Sequence, residues 1–335
     1  MQLIFPYLTK MQQALRVISF VLLAFIASGC STVPEPKTPL LSEVLSDARV
    51  VKYPLRKTEA GRWLVEIQIN DIQTADMVID TGATFSAVFD DVARRFSFEV
   101  DADKTIRVHG ISDNEVTPTA RVDQLGFGQD LYFGKTVAII DRQKDSTSED
   151  LKVDGVLGMD ILSNYRVHIN AAEEMLYFIQ NRLPDVILPD NLIAIELYKN
   201  PFSDVAPSLH FFTAYVKNRT ITALLDSGTD VHIINWHAAK FAEAQTIRSV
   251  LRHNWRVAGA VGEFKPKARA NIKQFETDNY QWEDVQMIIK DTDNLKIIAV
   301  DDKPFIVAGA GLLNERDIYL DFENNKLWLG QEIDE

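Results

Sequence analysis

One cysteine in 335 residues, Cys30, leaves no intramolecular disulfide. The fold must therefore be held by its core and its hydrogen bonds, and the lone thiol needs some other reason to be present. Histidine is nearly as sparse. His109, His168, His210, His232, His237 and His253 are dispersed, and His232 and His237, on a strand-to-helix stretch, do not make a metal pair on one helical face. No metal and no cofactor is expected. A Gly-x-Ser-x-Gly elbow and a phosphate loop are both missing, and Gly309-Ala-Gly311 lacks the third glycine of a dinucleotide loop. Basic side chains are outnumbered, 35 against 48, for a formal net charge of −13. A surface of that sign is repelled by nucleic acid, so no nucleic-acid partner is expected. Long hydrophobic runs are absent too: Val17–Ile26 is the longest, and about ten residues is too short for a membrane span and right for the core of a signal peptide.

What is present is a repetition. Met77-Val-Ile-Asp80-Thr-Gly82 and Ala223-Leu-Leu-Asp226-Ser-Gly228 are each an apolar run that delivers an aspartate into a hydroxyl-glycine turn. Before each lies an alternating strand with a polar turn, Trp63–Ile69 with Asn70-Asp71 and Phe212–Val216 with Lys217-Asn218. After each comes a short helical segment, Asp90–Phe96 and Trp236–Phe241. Arg107-Val-His-Gly110 with Pro118-Thr-Ala-Arg121 is echoed by Arg256-Val-Ala-Gly259 with Pro266-Lys-Ala-Arg269. Val156-Leu-Gly158 followed by Arg166–Ile169 is echoed by Val307-Ala-Gly309 followed by Asp317–Leu320. Two copies of roughly 125 to 150 residues mean a duplicated domain and not a solenoid. Short strands and scattered glycine and proline make it mainly a β protein.

These motifs resemble those of the aspartic peptidases, each half being similar to one retropepsin-type lobe. The resemblance covers about residues 60 to 180 and 195 to 330, and implies an all-β fold of two β-barrel lobes related by a pseudo-twofold axis with a cleft between them. It implies a catalytic pair, Asp80 and Asp226. Thr81 and Ser227 would brace the two turns across the interface beside Gly82 and Gly228, and Gly158 and Gly309 would support them from behind. The hairpins at His109-Gly110 and Ala258-Gly259 stand where the family carries a flap; neither contains a tyrosine. Asp230 stands where retropepsins often hold substrate backbone, opposite Thr84 of the first half. As a third carboxylate it would also raise the pair's pKa by like-charge repulsion. Ser86 and His232 differ at equivalent positions. So do Ala83 and Thr229, and the missing hydroxyl at Ala83 is expected to leave the pair less acidic and activity extending toward neutral pH.

The chemistry explains why two such turns are needed. Hydrolysing a peptide without a covalent intermediate takes a base to activate water and an acid to protonate the carbonyl oxygen or the leaving amine. Two carboxylates sharing one proton supply both, and aspartic peptidases are the standard illustration. The expected partner is a peptide or protein substrate, and the expected state a monomer, since both aspartates lie in one chain. The competing reading is a catalytically inactive peptide-binding or scaffold lipoprotein of the same fold.

At the N-terminus, Ala27-Ser-Gly-Cys30 closes the apolar run and is similar to a bacterial lipoprotein signal, in which the cysteine becomes the lipidated first residue. That resemblance implies a signal peptide over 1–29, a lipidated Cys30 with a proline-rich tether to residue 48, and lobes over 49–185 and 186–335. Ser31 implies sorting to the outer membrane, facing the periplasm. Met11 is an alternative start.

Overall fold

The computed structural model describes residues 37–70, 73–109, 114–142, 152–199, 206–246, 257–258, 263–266, 268–291, 300 and 302–333. The signal segment, Cys30 and the tether as far as residue 36 lie outside the described residues, as do Gly110 and Gly259.

Strand formation follows the alternation of the sequence. In Trp63–Ile69 the side chains of Val65, Ile67 and Ile69 are buried, while Glu66 and Gln68 face out. The strand folds back on Gln73–Ile79, pairing Leu64 with Val78 and Ile69 with Gln73. In the second half His210–Val216 does the same with Arg219–Asp226, from Phe211 against Leu224 to Val216 against Arg219. The turn there uses Lys217 (φ +49°) and Asn218 (φ +61°). Two consecutive left-handed residues match the twist of a two-residue hairpin, and asparagine tolerates that backbone better than most.

The run leading into each aspartate is apolar at every step for a different reason. Met77, Val78 and Ile79 pair in parallel with Gly155, Val156 and Leu157. Leu224, Leu225 and Asp226 pair in parallel with Val307, Ala308 and Gly309. These parallel strands are neighbours in the barrel walls and are covered on both faces, so alternation gives way to continuous apolar sequence.

Each half closes on itself. In the first, the order runs from Trp63–Ile69 through Gln73–Ile79, Gly155–Leu157, Ala87–Phe89, Asp130–Ile140 and Asn114–Phe127, and Gln68 and Ile69 pair with Gly126 and Leu125 to complete six strands. In the second, the corresponding order ends on Ala268–Glu276, where Tyr215 pairs with Glu276. Glu99–His109 and Glu243–Thr246 flank the two rings at matching places. The all-β expectation is met, with only four short α-helices and one 3-10 turn among the described residues.

Between the halves runs a shared antiparallel sheet. Tyr165–Asn170 from the first half pairs directly with Arg316–Asp321 from the second, Val167 against Leu320 and His168 against Tyr319. Met175–Gln180 and Val51–Pro54 extend it on one side, Lys326–Glu332 and Ile193–Lys199 on the other. The two halves therefore meet through backbone ladders as well as side chains. Asn314 adds a clasp, accepting from Trp63 Nε1 at 3.0 Å and donating to Gly61 O at 3.0 Å. A single buried apolar cluster runs from Trp63 and Ile67 through Tyr165 and Ile318 to Phe212 and Phe275, and Pro39–Glu335 forms one compact unit.

Candidate active site

Each parallel strand pair ends at an aspartate. Asp80 N–H donates to Leu157 O at 3.0 Å, and the chain then turns so that Gly82 N–H donates to Asp80 Oδ1 at 2.9 Å. The second half repeats this with Gly228 N–H on Asp226 Oδ1 at 3.0 Å.

The residues after the aspartates cross between the halves. Thr81 Oγ1 donates to Leu225 O at 2.9 Å and accepts from Ser227 N–H at 3.0 Å. Ser227 Oγ donates to Ile79 O at 2.7 Å and accepts from Thr81 N–H at 3.1 Å. Both hydroxyls are fully engaged and fully buried, which a hydroxyl can satisfy because it offers one donor and two acceptor positions. The bracing expected of Thr81 and Ser227 is present as four reciprocal bonds.

The glycines make the same crossing. A Cβ added to Gly82 would stand 2.5 Å from Asp226 Cγ, and one added to Gly228 would stand 2.2 Å from Asp80 Cγ. Each carboxyl thus lies against the bare backbone of the opposite turn, and the two carboxyl groups hydrogen-bond to one another. Burial pushes the Asp80 carboxyl above its ordinary range, against the N–H groups of Gly82 and Ala83, the Asp226 side chain and the positive charge of Arg62. Burial and then the negative charge of Asp80 push Asp226 well above it. Two like charges in contact repel one another, which favours a pair that shares one proton over one ionised twice.

Two expectations about acidity are corrected here. Asp230 is exposed, and the shift of Asp226 comes from burial and Asp80 rather than from it. Its side chain instead lines a groove of about 910 Å³ on the second half, with His232, Arg269, Trp282 and Gly311. The Thr229 hydroxyl does not serve the Asp226 carboxylate: it lies 3.4 Å from both Val231 N and Val231 O. It is the backbone N–H of Thr229 that stabilises the charge on Asp226, and Ala83 N–H does the same for Asp80. The two turns thus hold their carboxylates with the same backbone donors, and the hydroxyl that Ala83 lacks is not used for this purpose in the second turn either.

Behind the turns the glycine supports stand where expected, with different partners. Gly158 N–H donates to Ser86 Oγ at 3.1 Å, and that hydroxyl donates to Asp160 Oδ1 at 2.7 Å. Asp160 also accepts from Ser86 N–H at 2.8 Å, and burial raises its pKa against the help of Ser86 and Lys135. In the second half Gly309 N–H donates to His232 Nδ1 at 3.0 Å, and Gly311 occupies the place of Asp160. A side chain on Gly158 would run into the Phe85 backbone at 2.6 Å, and one on Gly309 into Val231 O at 2.6 Å. The sequence shows that Ser86 and His232 differ but gives neither a partner; it gives Asp160, in the block after Gly158, no role, and nothing in it points to Arg62.

The flap positions are only partly described. His109 ends the strand Glu99–His109, paired with Asn114, and Ala258 pairs with Glu263 in a two-residue ladder. Among the described residues no three His, Cys, Asp or Glu side chains group as a metal site requires.

Residues 65–161 match the aspartyl protease family. A comparison with curated proteins gives no match. The aspartyl protease stretch takes in the Asp80 turn, Ser86 and the Gly158 support, and it supports a peptidase-like function. The second half repeats that stretch in topology, as the closing of both six-strand rings demonstrates, although the match does not extend to it.

Proposed function

We propose that the chain is an aspartic endopeptidase whose two lobes, 49–185 and 186–335, each supply one catalytic aspartate. The observation that carries this reading is the reciprocal packing of Asp80 on Gly228 and Asp226 on Gly82, which puts two buried carboxyls in hydrogen-bonding contact with one shared proton. The ionised member takes a proton from a water molecule as that water attacks the scissile carbonyl carbon. The protonated member gives its proton to the carbonyl oxygen. The tetrahedral diol then collapses: its C–N bond breaks as the amine takes a proton from one carboxyl while a diol hydroxyl gives its proton to the other, so the pair is left with one proton. General acid and base catalysis of this kind is worth roughly 10² to 10⁴ in rate for each positioned group.

Gly82 and Gly228 admit the carboxyls, Thr81 and Ser227 hold the turns in register, and Gly158 and Gly309 back them. The hairpins at His109-Gly110 and Ala258-Gly259 would cover an extended peptide, with Asp230 at one end of it. One chain provides both aspartates, so a monomer suffices. Lipidation at Cys30 would tether the enzyme to the outer membrane in the periplasm, a reading that rests on the Ala-Ser-Gly-Cys motif; mass spectrometry of the N-terminal peptide, with Cys30→Ser releasing the protein from the membrane fraction, checks it.

The deciding experiment is cleavage of a diverse peptide pool by the soluble form starting after Cys30, from acidic to slightly alkaline pH. Asp80→Asn and Asp226→Asn are each expected to lower turnover by roughly a thousandfold or more while the protein stays folded. Peptide binding that survives both substitutions in a folded protein without turnover would replace the peptidase with a binding lipoprotein.

A further inference from the structure

The two halves hold their glycine supports with groups of different chemistry. Gly158 N–H rests on a serine hydroxyl, which does not titrate in the working range of a protein. Gly309 N–H rests on an imidazole nitrogen, which does. Because a backbone N–H donates to Nδ1, the neutral ring carries its proton on Nε2, and a Cβ on Gly311 would stand 3.0 Å from that nitrogen. Where the first half places the Asp160 carboxyl, the second has only Gly311, so the ring fills the space of a serine and an aspartate together.

We propose that His232 is the positioning residue of the second catalytic turn, holding the Gly309 segment behind Asp226 through Nδ1, and that protonating the ring withdraws this hold. The inference rests on the peptidase reading above. The path to the dyad is short. Gly309 is in parallel register with Asp226, and Ala310 N–H donates to Thr229 O at 2.8 Å, so the segment lies along the turn from Asp226 to Thr229. A proton on Nδ1 would set two N–H donors against each other at 3.0 Å, leaving a buried amide without an acceptor beside a buried cation.

The charges around the ring do not oppose this. Asp230 on its own loop, Arg269, Glu283 and Asp284 on the adjacent strands, and Arg316 with Glu332 beyond line the same groove, while Ala310–Leu312 carries no charge. Asp230, Glu283 and Asp284 are exposed to water, and Arg316 is bound to Glu332 at 2.8 Å. The ring's pKa falls from 6.5 to about 4 through burial alone. A folded-state pKa below the unfolded one makes the stabilisation complete above pH 6.5 and progressively lost as pH falls to about 4.

The test compares wild type with His232→Ser, which keeps an acceptor as Ser86 does but does not titrate, and with His232→Ala, which keeps none. Thermal or urea unfolding is followed from pH 7.5 to pH 3.5 together with kcat/KM. Wild type should lose up to about 300-fold more in its folding equilibrium constant than His232→Ser between those limits, the ratio of acidity constants at 6.5 and about 4. His168 and His210, both also shifted down by burial, titrate in every protein compared and cancel. The acid limb of kcat/KM should move to lower pH in His232→Ser, and His232→Ala should lose kcat at neutral pH. Parallel stability curves for wild type and His232→Ser would overturn the inference and leave the peptidase reading standing. Diverging stability with an unmoved acid limb would reduce His232 to a packing residue and overturn the positioning role. No cleavage by folded wild type at any pH would overturn the peptidase reading, and the positioning role with it, while the stability curves still report on the ring's titration.

Discussion

The first half joins Tyr165 to Asp130 through a hydroxyl-to-carboxylate bond of 2.5 Å, with Gln180 on the same carboxylate; the second joins Arg316 to the Tyr280 hydroxyl, with Glu332 at 2.8 Å on the guanidinium. These are the same places in the fold. Tyr165 pairs with Gln180 across one ladder as Arg316 pairs with Glu332 across the other. The tyrosine has changed sides while the direction of the bond has stayed: Tyr165 and Arg316 both donate, and Asp130 and Tyr280 both accept. Around the dyad the crossing hydroxyls, the bare glycines and the backbone N–H groups at the carboxylates are alike in both halves, while the charge of Arg62 is felt by Asp80 and not matched at Asp226. Between these regions lie Ser86 with Asp160 and His232 with Gly311, where the contact to the support amide is kept and its acceptor is exchanged. Duplicated structure is therefore tightest at the two aspartate turns, where each turn packs on the carboxyl of the other and a change must fit both. Elsewhere, even on the sheet that the halves share, the partners have been exchanged.

The largest test of this view is at the glycines. Gly82→Ala and Gly228→Ala should each abolish cleavage, and should destabilise by roughly 3 kcal/mol or fail to fold, since the new methyl meets a carboxyl carbon at 2.5 or 2.2 Å. Activity and urea midpoints check this. A tolerated alanine on one side only would break the equivalence of the halves.

Smaller effects follow from the crossing hydroxyls. Thr81→Val and Ser227→Ala each leave a buried N–H of the opposite turn without its acceptor, costing about 1–3 kcal/mol. The two losses should be nearly equal, because each hydroxyl makes one bond to a carbonyl and one to an N–H of the opposite turn. Unequal single costs, measured by denaturant unfolding, would show that one lobe leads.

The smallest expected change has the opposite sign. Because the Asp226 carboxyl binds its proton more tightly folded than unfolded, its own contribution to stability is fullest at low pH and is lost as pH rises from the unfolded value of 3.8 through the folded pKa. Asp226→Asn removes that loss. At neutral pH the inactive variant should melt a few degrees above wild type, with the gap closing toward pH 4. A lower melting temperature at pH 7 would mean that the pair is charged more easily than its burial implies.

Much of this was legible in the sequence. The paired turns, the two glycine supports and the helices after them stand where the repetition placed them, because each is a local device that needs a particular residue: glycine where a carboxyl presses on backbone, a hydroxyl where a donor and an acceptor must be met at once. What the sequence hid was register and exchange. The echo of Pro118–Arg121 in Pro266–Arg269 is two residues out of the structural alignment: Ala87 and Ile233 are equivalent and pair with Ala138 and Ile288, whose antiparallel partners are Thr119 and Arg269. A two-residue slip keeps every side chain on its own face of a strand, so the hydrophobic pattern does not register it. His232 was opaque for another reason, since no pattern predicts that an imidazole will stand in for a serine and an aspartate. The shared sheet was invisible as well, because Val167 and Leu320 look like edge residues of separate lobes until they pair.

The glycine contacts have a consequence for the life of the chain. Asp80 is fitted against Gly228, and Asp226 against Gly82, so neither carboxyl meets its surroundings until the other half has arrived. A chain that has made only its first barrel carries Asp80 with no second carboxyl against it. On the peptidase reading proposed above, the site is therefore complete only once the last strands have docked.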